Sequence, residues 1–473
     1  MTRIVIVGAG ISGLSLAYRL QQLGPQLDIT LLEERDRPGG TVWTDRRDGF
    51  QVETGPNGFL DNKPNTLELC RELGMEDRLI AASPEAGKNR YLFLDGRLRV
   101  LPASLAAFLT SNLLSFRGKL ALFRERFRAP RQDGQDESIA DFARRRAGKE
   151  AALFADALVT GIYAGDPAQL STRACFPRLV ALEEEHGSIF KGLARNARMR
   201  RREARLTGAP PPRRGFQMWS VRDGLRGLIE TLSTRLRKPP LLGVPVHGLT
   251  KQPDGAWLVA AEGTERFRAD AVILTCPAFK QAAILAELDE DLADKIETIA
   301  YNCLAVVALG YRKNDVPHKL AGFGYIAPQQ TGRDVLGVQW CSSIFPGRAP
   351  AGAVLLRAMA GGWRRPEVAS WDDARLLECV RADLHQALGI RAAPVFHHII
   401  RWNRAIPQYQ LGHLDRVTWV EERIKRHAGL FLGGNAYRGV ALNDCTEQAG
   451  FLAKNVLDFV SRHRNETKGS VEA

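Results

Sequence analysis

A chain of 473 residues is too long for one core, so two or three domains are expected. The composition, 45% hydrophobic and 25% charged, is that of a globular protein, and no run of 18 apolar residues offers a membrane-spanning helix. The net charge of +13 calls for an anionic partner; no nucleic-acid motif is present, so anionic lipid or an acidic ligand fits better than nucleic acid.

Residues 4–7 are a short continuous apolar run, the pattern of a strand buried on both faces. Gly8, Gly10 and Gly13 follow at the G-x-G-x-x-G spacing, and Leu14, Leu16, Ala17 and Leu20 recur at helical spacing. A second buried strand, residues 29–32, ends on Glu33 and Glu34. Each residue type has a task in a dinucleotide site. Gly8 permits the tight turn, Gly10 the approach of a pyrophosphate, and Gly13 close packing of helix on strand. The helix N-terminus at Ile11 and Ser12 offers N–H groups and the positive dipole end. Glu33, about 20 residues past the last glycine, is placed to accept from ribose hydroxyls. No secretory leader is expected, because the first apolar run is already this strand.

The sequence Arg37, Pro38, Gly39, Gly40 looks like the R-x-G-G motif that flavoproteins of the glutathione-reductase and amine-oxidase type carry after the acid. With Thr41 it favours FAD over a nicotinamide cofactor; an ordinary Gly-Gly turn is the alternative. A strand-poor segment follows and ends in Gly55, Pro56 and Asn57, whose turn could let a flat ring approach the backbone. A helix is expected over 66–73. Strands 91–94 and 97–101 flank Asp95-Gly96, a strong hairpin signal, with Arg90 just ahead of them.

Residues 102–212 read as helical, with segments over 104–116, 119–127, 151–159 and 175–185, and with Ser138 as an N-cap. From Asp95 to Arg214 there are 23 basic and 13 acidic residues, a difference of +10. Cationic helices with apolar faces suit the plane of a membrane surface. A solvated basic face is the plainer reading. Beyond Gly215 come a helix over 224–236 and strands over 241–249, 256–261, 265–268 and 271–275. Val246 is expected near an adenine by analogy with two-dinucleotide-fold flavoproteins. From 299 to 404 strands dominate (303–311, 323–327, 335–341, 354–360, 395–402), with a helix over 371–388. The last strand, 430–432, leads into a glycine corner and then a long helix to about Arg462. Seven dispersed cysteines argue for reduced thiols in a cytosolic setting. No metal-ligand spacing occurs; His397 and His398, adjacent in a strand, point to opposite faces.

GAGISGL, VETGPNGFL, KNRYLFLDGRLRVLP, TGIYAGDP, GFGYIAP and GGNAYRGVALNDC, taken in order, resemble the motifs of the protoporphyrinogen oxidase family. The resemblance runs from Ile4 to about Leu457. It implies an α/β chain, α+β overall, of three parts. The first is a discontinuous FAD domain of the amine-oxidase/glutathione-reductase type (1–80, 215–285, 425–473). The second is a mixed-sheet substrate domain (86–101, 286–424). The third is a helical membrane-associated domain (102–214).

The implied reaction is FAD-dependent oxidation of a porphyrinogen, six electrons in three flavin cycles, with O2 reduced to hydrogen peroxide. Flavin contacts are implied at Gly434, Asn435, Val440, Leu442 and Asp444. The family's propionate-binding arginine matches Arg90, and its macrocycle-sandwiching residues match Phe323, Gly324 and Ile326. No acid–base residue is assigned. A porphyrinogen is an apolar disc with carboxylate tails, which calls for an apolar slot and an arginine clamp.

Protoporphyrinogen IX is the expected substrate. Coproporphyrinogen III, with more carboxylates, would want further cations such as Arg333, Arg348, Arg357 or Arg401. Gln339 stands at a position often apolar in relatives. The expected location is cytoplasmic, peripheral on the inner face of the cell membrane. A homodimer and a contact with the next haem-pathway enzyme are further partner expectations. An amine-oxidase-like flavoprotein would need paired aromatics at the C-terminal motif, where Tyr437 stands alone. A non-enzymatic flavin-binding or assembly protein is the remaining reading.

Overall fold

In the computed structural model, which describes residues 1–102, 105–131, 133–208, 215–263 and 266–469, the first apolar run is the strand Thr2–Val7. It pairs in parallel with Leu27–Leu32 on one side and Ala271–Leu274 on the other. Leu430–Leu432 continues the sheet past Ala271–Leu274, so four parallel strands come from the start, middle and end of the chain. A parallel sheet must be covered on both faces. Ile4 and Ile6 pack with Leu14, Leu228 and Val456, from the helices Ile11–Leu23, Arg226–Arg235 and Leu442–Gly469. Val5 and Val7 pack on the opposite side with Val259, Ala278, Ile284 and Leu292. Period-two alternation in a single strand thus serves two cores.

The second body is a seven-stranded mixed sheet. Its order is Phe396–Trp402, Leu304–Arg312, Ala353–Gly361, Val335–Gln339, Gly324–Ile326, Tyr91–Leu94 and Arg97–Val100. All neighbours are antiparallel except Gly324–Ile326 with Tyr91–Leu94, which run in parallel. Its back face (Val307, Tyr325, Val338, Ala358) packs on Leu376, Val380 and Leu384 of the helix Asp373–Leu388. Its front face meets the hairpin Thr44–Arg47 and Phe50–Glu53, where Phe50 stacks on Phe396 with centroids 4.4 Å apart. The turn Asp95-Gly96 has positive φ at both residues, 51° and 76°, as the hairpin signal requires.

Between them in sequence lie helices Phe116–Phe123, Ile139–Ala147, Ala152–Tyr163, Pro177–His186 and Ile189–Thr207. Ser138 caps the second of these, its hydroxyl accepting from Asp141 N–H at 3.1 Å. Buried Arg146 bonds Glu125 and, at 3.3 Å, Glu183; Arg145 joins Glu137 and Glu183. Among the described residues no helix is long and apolar enough to cross a membrane, and no cluster of side chains could hold a metal.

Several expectations are corrected. The segment after Gly40 is not strand-poor: it holds the Thr44–Glu53 hairpin. The helix read over 175–185 breaks at Phe176, because Pro177 starts a new helix. Only Val246–Lys251 of the strand read over 241–249 is regular; Leu241 makes an isolated bridge to Leu32. Ser104 and Glu265, the starts of two expected elements, and residues 209–214 of the helical region lie outside the described residues. All seven cysteines are free. His397 is exposed, whereas His398 Nε2 lies 2.8 Å from Asp45 Oδ2.

Candidate cofactor and substrate site

The glycine corner is built as its spacing demands. Gly8 has φ +102°, and a Cβ there would lie 2.8 Å from Cys276 N; a Cβ on Gly13 would lie 1.9 Å from the Gly8 carbonyl oxygen. Nothing lies within 4 Å of the equivalent point on Gly10, and the helix starting at Ile11 has no side-chain cap. Its N-terminus therefore faces open space with donors to spare. Ile11 is core, and Ser12, the second residue of that helix, is half-buried. Glu33 is buried, and burial raises its carboxyl pKa. Its oxygens accept from Ala9 N–H at 2.7 Å and Arg35 N–H at 3.1 Å, which leaves lone pairs for a hydroxyl. Glu34 points away to Lys280 at 2.8 Å. Arg37 donates to the carbonyls of Pro38 and Gly40 and lies over the Trp43 ring, so it ties the Gly39-Gly40 turn.

The other flavin-motif residues converge on the carboxyl ends of the same strands. Gly55 sits against Thr41, whose carbonyl would be 2.2 Å from a Cβ on Gly55. Pro56 follows, and Asn57 is 4% exposed with neither amide atom hydrogen-bonded. Such an orphaned buried amide calls for a polar ligand. Gly434 has φ +102°, and the Asn435 carbonyl accepts from Tyr409 OH at 2.5 Å. Val440 packs beside the Ala152–Tyr163 helix, and Leu442 is core at the start of the last helix. Asp444 accepts from Ala441 N–H at 3.1 Å and from Lys63 Nζ at 2.6 Å. Val246 lies beside the bridge that joins Val244 N–H to the Glu33 carbonyl.

The substrate-motif residues lie in rows across the front of the mixed sheet. Ile326 pairs with both Leu92 and Gly337, and Gly337 with Met359. The next row joins Gly324 to Gln339 and Gln339 to Arg357, and one residue before the Tyr325–Tyr91 register brings Arg90 level with Gly324. Gly324 has φ +135°, and a Cβ there would lie 2.0 Å from the Val338 carbonyl. The guanidinium of Arg90 lies 5.1 Å from the Phe323 ring centroid and makes no hydrogen bond or ion pair among the described residues. It is solvent-exposed yet recessed, and loss of hydration pulls its pKa below the usual arginine value. Gly161 closes the row from the helical side, with Ile326 Cδ1 2.8 Å from its Cβ position.

The remaining cations separate cleanly. Arg333 pairs with Asp383 on the back face, Arg348 with Glu53 at 3.2 Å, and Arg401 with Asp373 at 2.7 Å. Among the described residues Arg357 pairs with no carboxylate; its Nη1 donates to Gln339 Oε1 at 3.0 Å and its Nη2 to the Gly55 carbonyl. Met359, Tyr409 and His413 had no motif to mark them. Only the strand register and the return of residues 409–413 to the turn at Asn435 and Tyr437 reveal them.

A family model described as flavin-containing amine oxidoreductase matches residues 11–457. The chain belongs to that family. Within it, the chain is 35% identical over 476 residues to the chloroplastic protoporphyrinogen oxidase of Nicotiana tabacum, covering 97% of this chain and 86% of the relative. The coproporphyrinogen III oxidase of Staphylococcus aureus (strain NCTC 8325 / PS 47) is 30% identical over 471 residues, covering 96% and 98%. A crystal structure from Exiguobacterium sp. 255-15 superposes with a TM-score of 0.80 at 28% identity, covering 96% of this chain and 98% of that one. Putrescine oxidase shares the fold with a TM-score of 0.66 at 16% identity. The chain is thus an oxidoreductase of the amine oxidoreductase and protoporphyrinogen oxidase family.

Proposed function

We propose that the protein is an FAD-dependent porphyrinogen oxidase that converts protoporphyrinogen IX to protoporphyrin IX. The observation that carries this reading is Arg90, a guanidinium above Phe323 with no hydrogen bond or ion pair among the described residues, level with Gly324 and one row from Ile326, Gly337 and Met359. An apolar floor with one free cation at its rim suits a flat apolar ring with a carboxylate tail. Of the five arginines in play, three are held by carboxylates and Arg357 is buried, which favours a substrate with few carboxylates over one with four.

The glycine corner, Glu33 and the orphaned Asn57 fit FAD: Gly10 and the helix start would take the pyrophosphate, Glu33 the ribose, and the Gly55–Asn57 and Gly434–Asn435 turns the ring. Bound FAD supplies two-electron oxidation of the ring framework, with O2 as acceptor and hydrogen peroxide as product. The chain's own residues orient the disc: Phe323, Ile326 and Met359 against its faces, Arg90 on a propionate.

We further propose that the cationic helices rest on the inner face of the cell membrane, which would deliver a poorly soluble substrate. A homodimer and docking of the next haem-pathway enzyme belong to the same reading.

The experiment offers protoporphyrinogen IX and coproporphyrinogen III separately to FAD-loaded protein in air, recording porphyrin fluorescence and peroxide. Faster turnover of the first is expected. A clear preference for the second, the substrate in the name of the Staphylococcus aureus relative, moves the protein to coproporphyrin formation. Turnover of neither, with FAD bound, overturns the proposal.

A further inference from the structure

The row Arg90, Gly324, Gln339, Arg357 carries two cations, and only one of them opens on the slot. Arg357, on the strand Ala353–Gly361, is 4% exposed. Its Nε is buried with no hydrogen-bond partner, while its other nitrogens serve Gln339 and the Gly55 carbonyl. The carboxylate that feels its charge, Glu53, is already bound by Arg348. One buried carboxylate and two buried guanidiniums leave one uncompensated positive charge behind the Gly55 turn. A buried cation without its own counter-ion is costly, and two neutral donors would satisfy the same two acceptors at lower cost. The charge itself therefore needs a purpose.

What lies across Gly55 supplies one. Gly55 opens the turn that ends in the orphaned amide of Asn57, the turn assigned above to the flavin ring. On that reading, we infer that Arg357 is a charge-tuning residue: its buried guanidinium offsets the negative charge the cofactor ring gains on two-electron reduction and so raises its reduction potential. Two electrons and one proton enter, the electrons coming from the porphyrinogen; the second proton stays in solvent, and the ring keeps one negative charge. Arg357 acts through space, because almost none of its surface is open to a substrate. Even at roughly 10 Å and an effective dielectric of about 20, two unit charges shift an equilibrium more than tenfold.

The test measures the midpoint potential of bound FAD and the absorption spectrum of the fully reduced holoprotein at neutral pH. The wild-type spectrum is expected to be that of anionic reduced flavin; a neutral reduced flavin overturns the inference without any variant. Arg357→Gln should weaken flavin reduction about tenfold, equivalent to about 30 mV for a two-electron couple. Arg357→Lys, which keeps the charge, should return the potential to within about twofold in equilibrium constant of wild type. Gln339→Leu, which removes a neutral amide and keeps the Arg357 charge, should leave it unchanged. An Arg357→Gln protein with bound FAD at the wild-type potential overturns the inference and leaves the oxidase reading standing. A wild-type protein that takes up no FAD overturns both.

Discussion

Among the described residues the Arg90 guanidinium touches only the Phe323 ring and makes no hydrogen bond or ion pair, so its removal should cost the fold little and the ligand much. Arg90→Ala is expected to raise the KM for the porphyrinogen about 10- to 100-fold, the range for a lost charge-assisted hydrogen bond, with the melting temperature unchanged. Arg90→Lys should recover part of the loss, since a point charge replaces a planar fork. A KM equal to wild type would place the carboxylate elsewhere. Gly13 behaves oppositely. A Cβ there lands 1.9 Å from a backbone oxygen, which cannot swing aside. Gly13→Ala should cost about 2 kcal/mol of stability and abolish stoichiometric FAD binding, read by calorimetry and flavin absorbance. These two residues differ in legibility for the same physical reason. The glycine task is local, set by neighbours a few positions away, and the motif announces it. Arg90 acquires its meaning from Phe323 and Gly324, more than 230 positions later, and only the family resemblance pointed to it.

The helix His413–Ile424 packs against Ala436 and Tyr437 of the C-terminal turn, and its first residue carries a pH dependence. His413 is fully buried, stacks on Tyr409 at 4.1 Å, and donates from Nε2 to the Tyr437 carbonyl at 2.9 Å. Its Nδ1 is buried without a partner, so a second proton has nowhere to go, and burial pushes the pKa down to about 4. The unfolded chain binds that proton near its ordinary pKa of about 6.5. Between these values the unfolded state holds more protons, so stability falls as pH drops from about 6.5 to 4 and is flat below. The loss is about 3 kcal/mol. Because Tyr409 also holds the Asn435 carbonyl, FAD should be released in the same window, and His413→Asn should flatten that dependence in a pH series of flavin fluorescence. Nothing in the sequence marked this helix. The Thr44–Glu53 hairpin was missed although Asp48-Gly49 is the same turn signal as Asp95-Gly96, with positive φ at both residues. Its first strand, Thr44–Arg47, is polar and half exposed, so the apolar alternation that would have flagged it is absent. The parallel strands were legible because burial on both faces leaves an unbroken apolar run. The rows across the mixed sheet were not, because four strands from distant segments set the register.

At the scale of the whole molecule, the charge excess and the exposed apolar side chains fall on the same helices. Phe116, Phe123 and Phe127 are 81%, 58% and 72% exposed, and Arg126 lies over the rings of the last two. The helix Ile189–Thr207 adds exposed Phe190, Leu193, Met199 and Leu206 among seven cationic residues. Globular surfaces expose single apolar side chains freely, but aromatic rings grouped with arginines suit a lipid interface, where rings enter the headgroup boundary and guanidiniums meet phosphates. Folding does not need these phenylalanines, since the ion pairs of half-buried Arg145 and buried Arg146 already join the helices. The triple change Phe116→Ser, Phe123→Ser and Phe127→Ser should therefore leave the melting temperature and the turnover of detergent-solubilised substrate unchanged. It should cut cosedimentation with vesicles containing anionic lipid about tenfold or more, each ring contributing on the order of 1 kcal/mol. Binding by the wild type should weaken as salt rises, because part of the attraction is screened within about 10 Å. Equal binding to neutral and anionic vesicles would remove the arginines from the account, and no binding to either would leave the helices a solvated basic face.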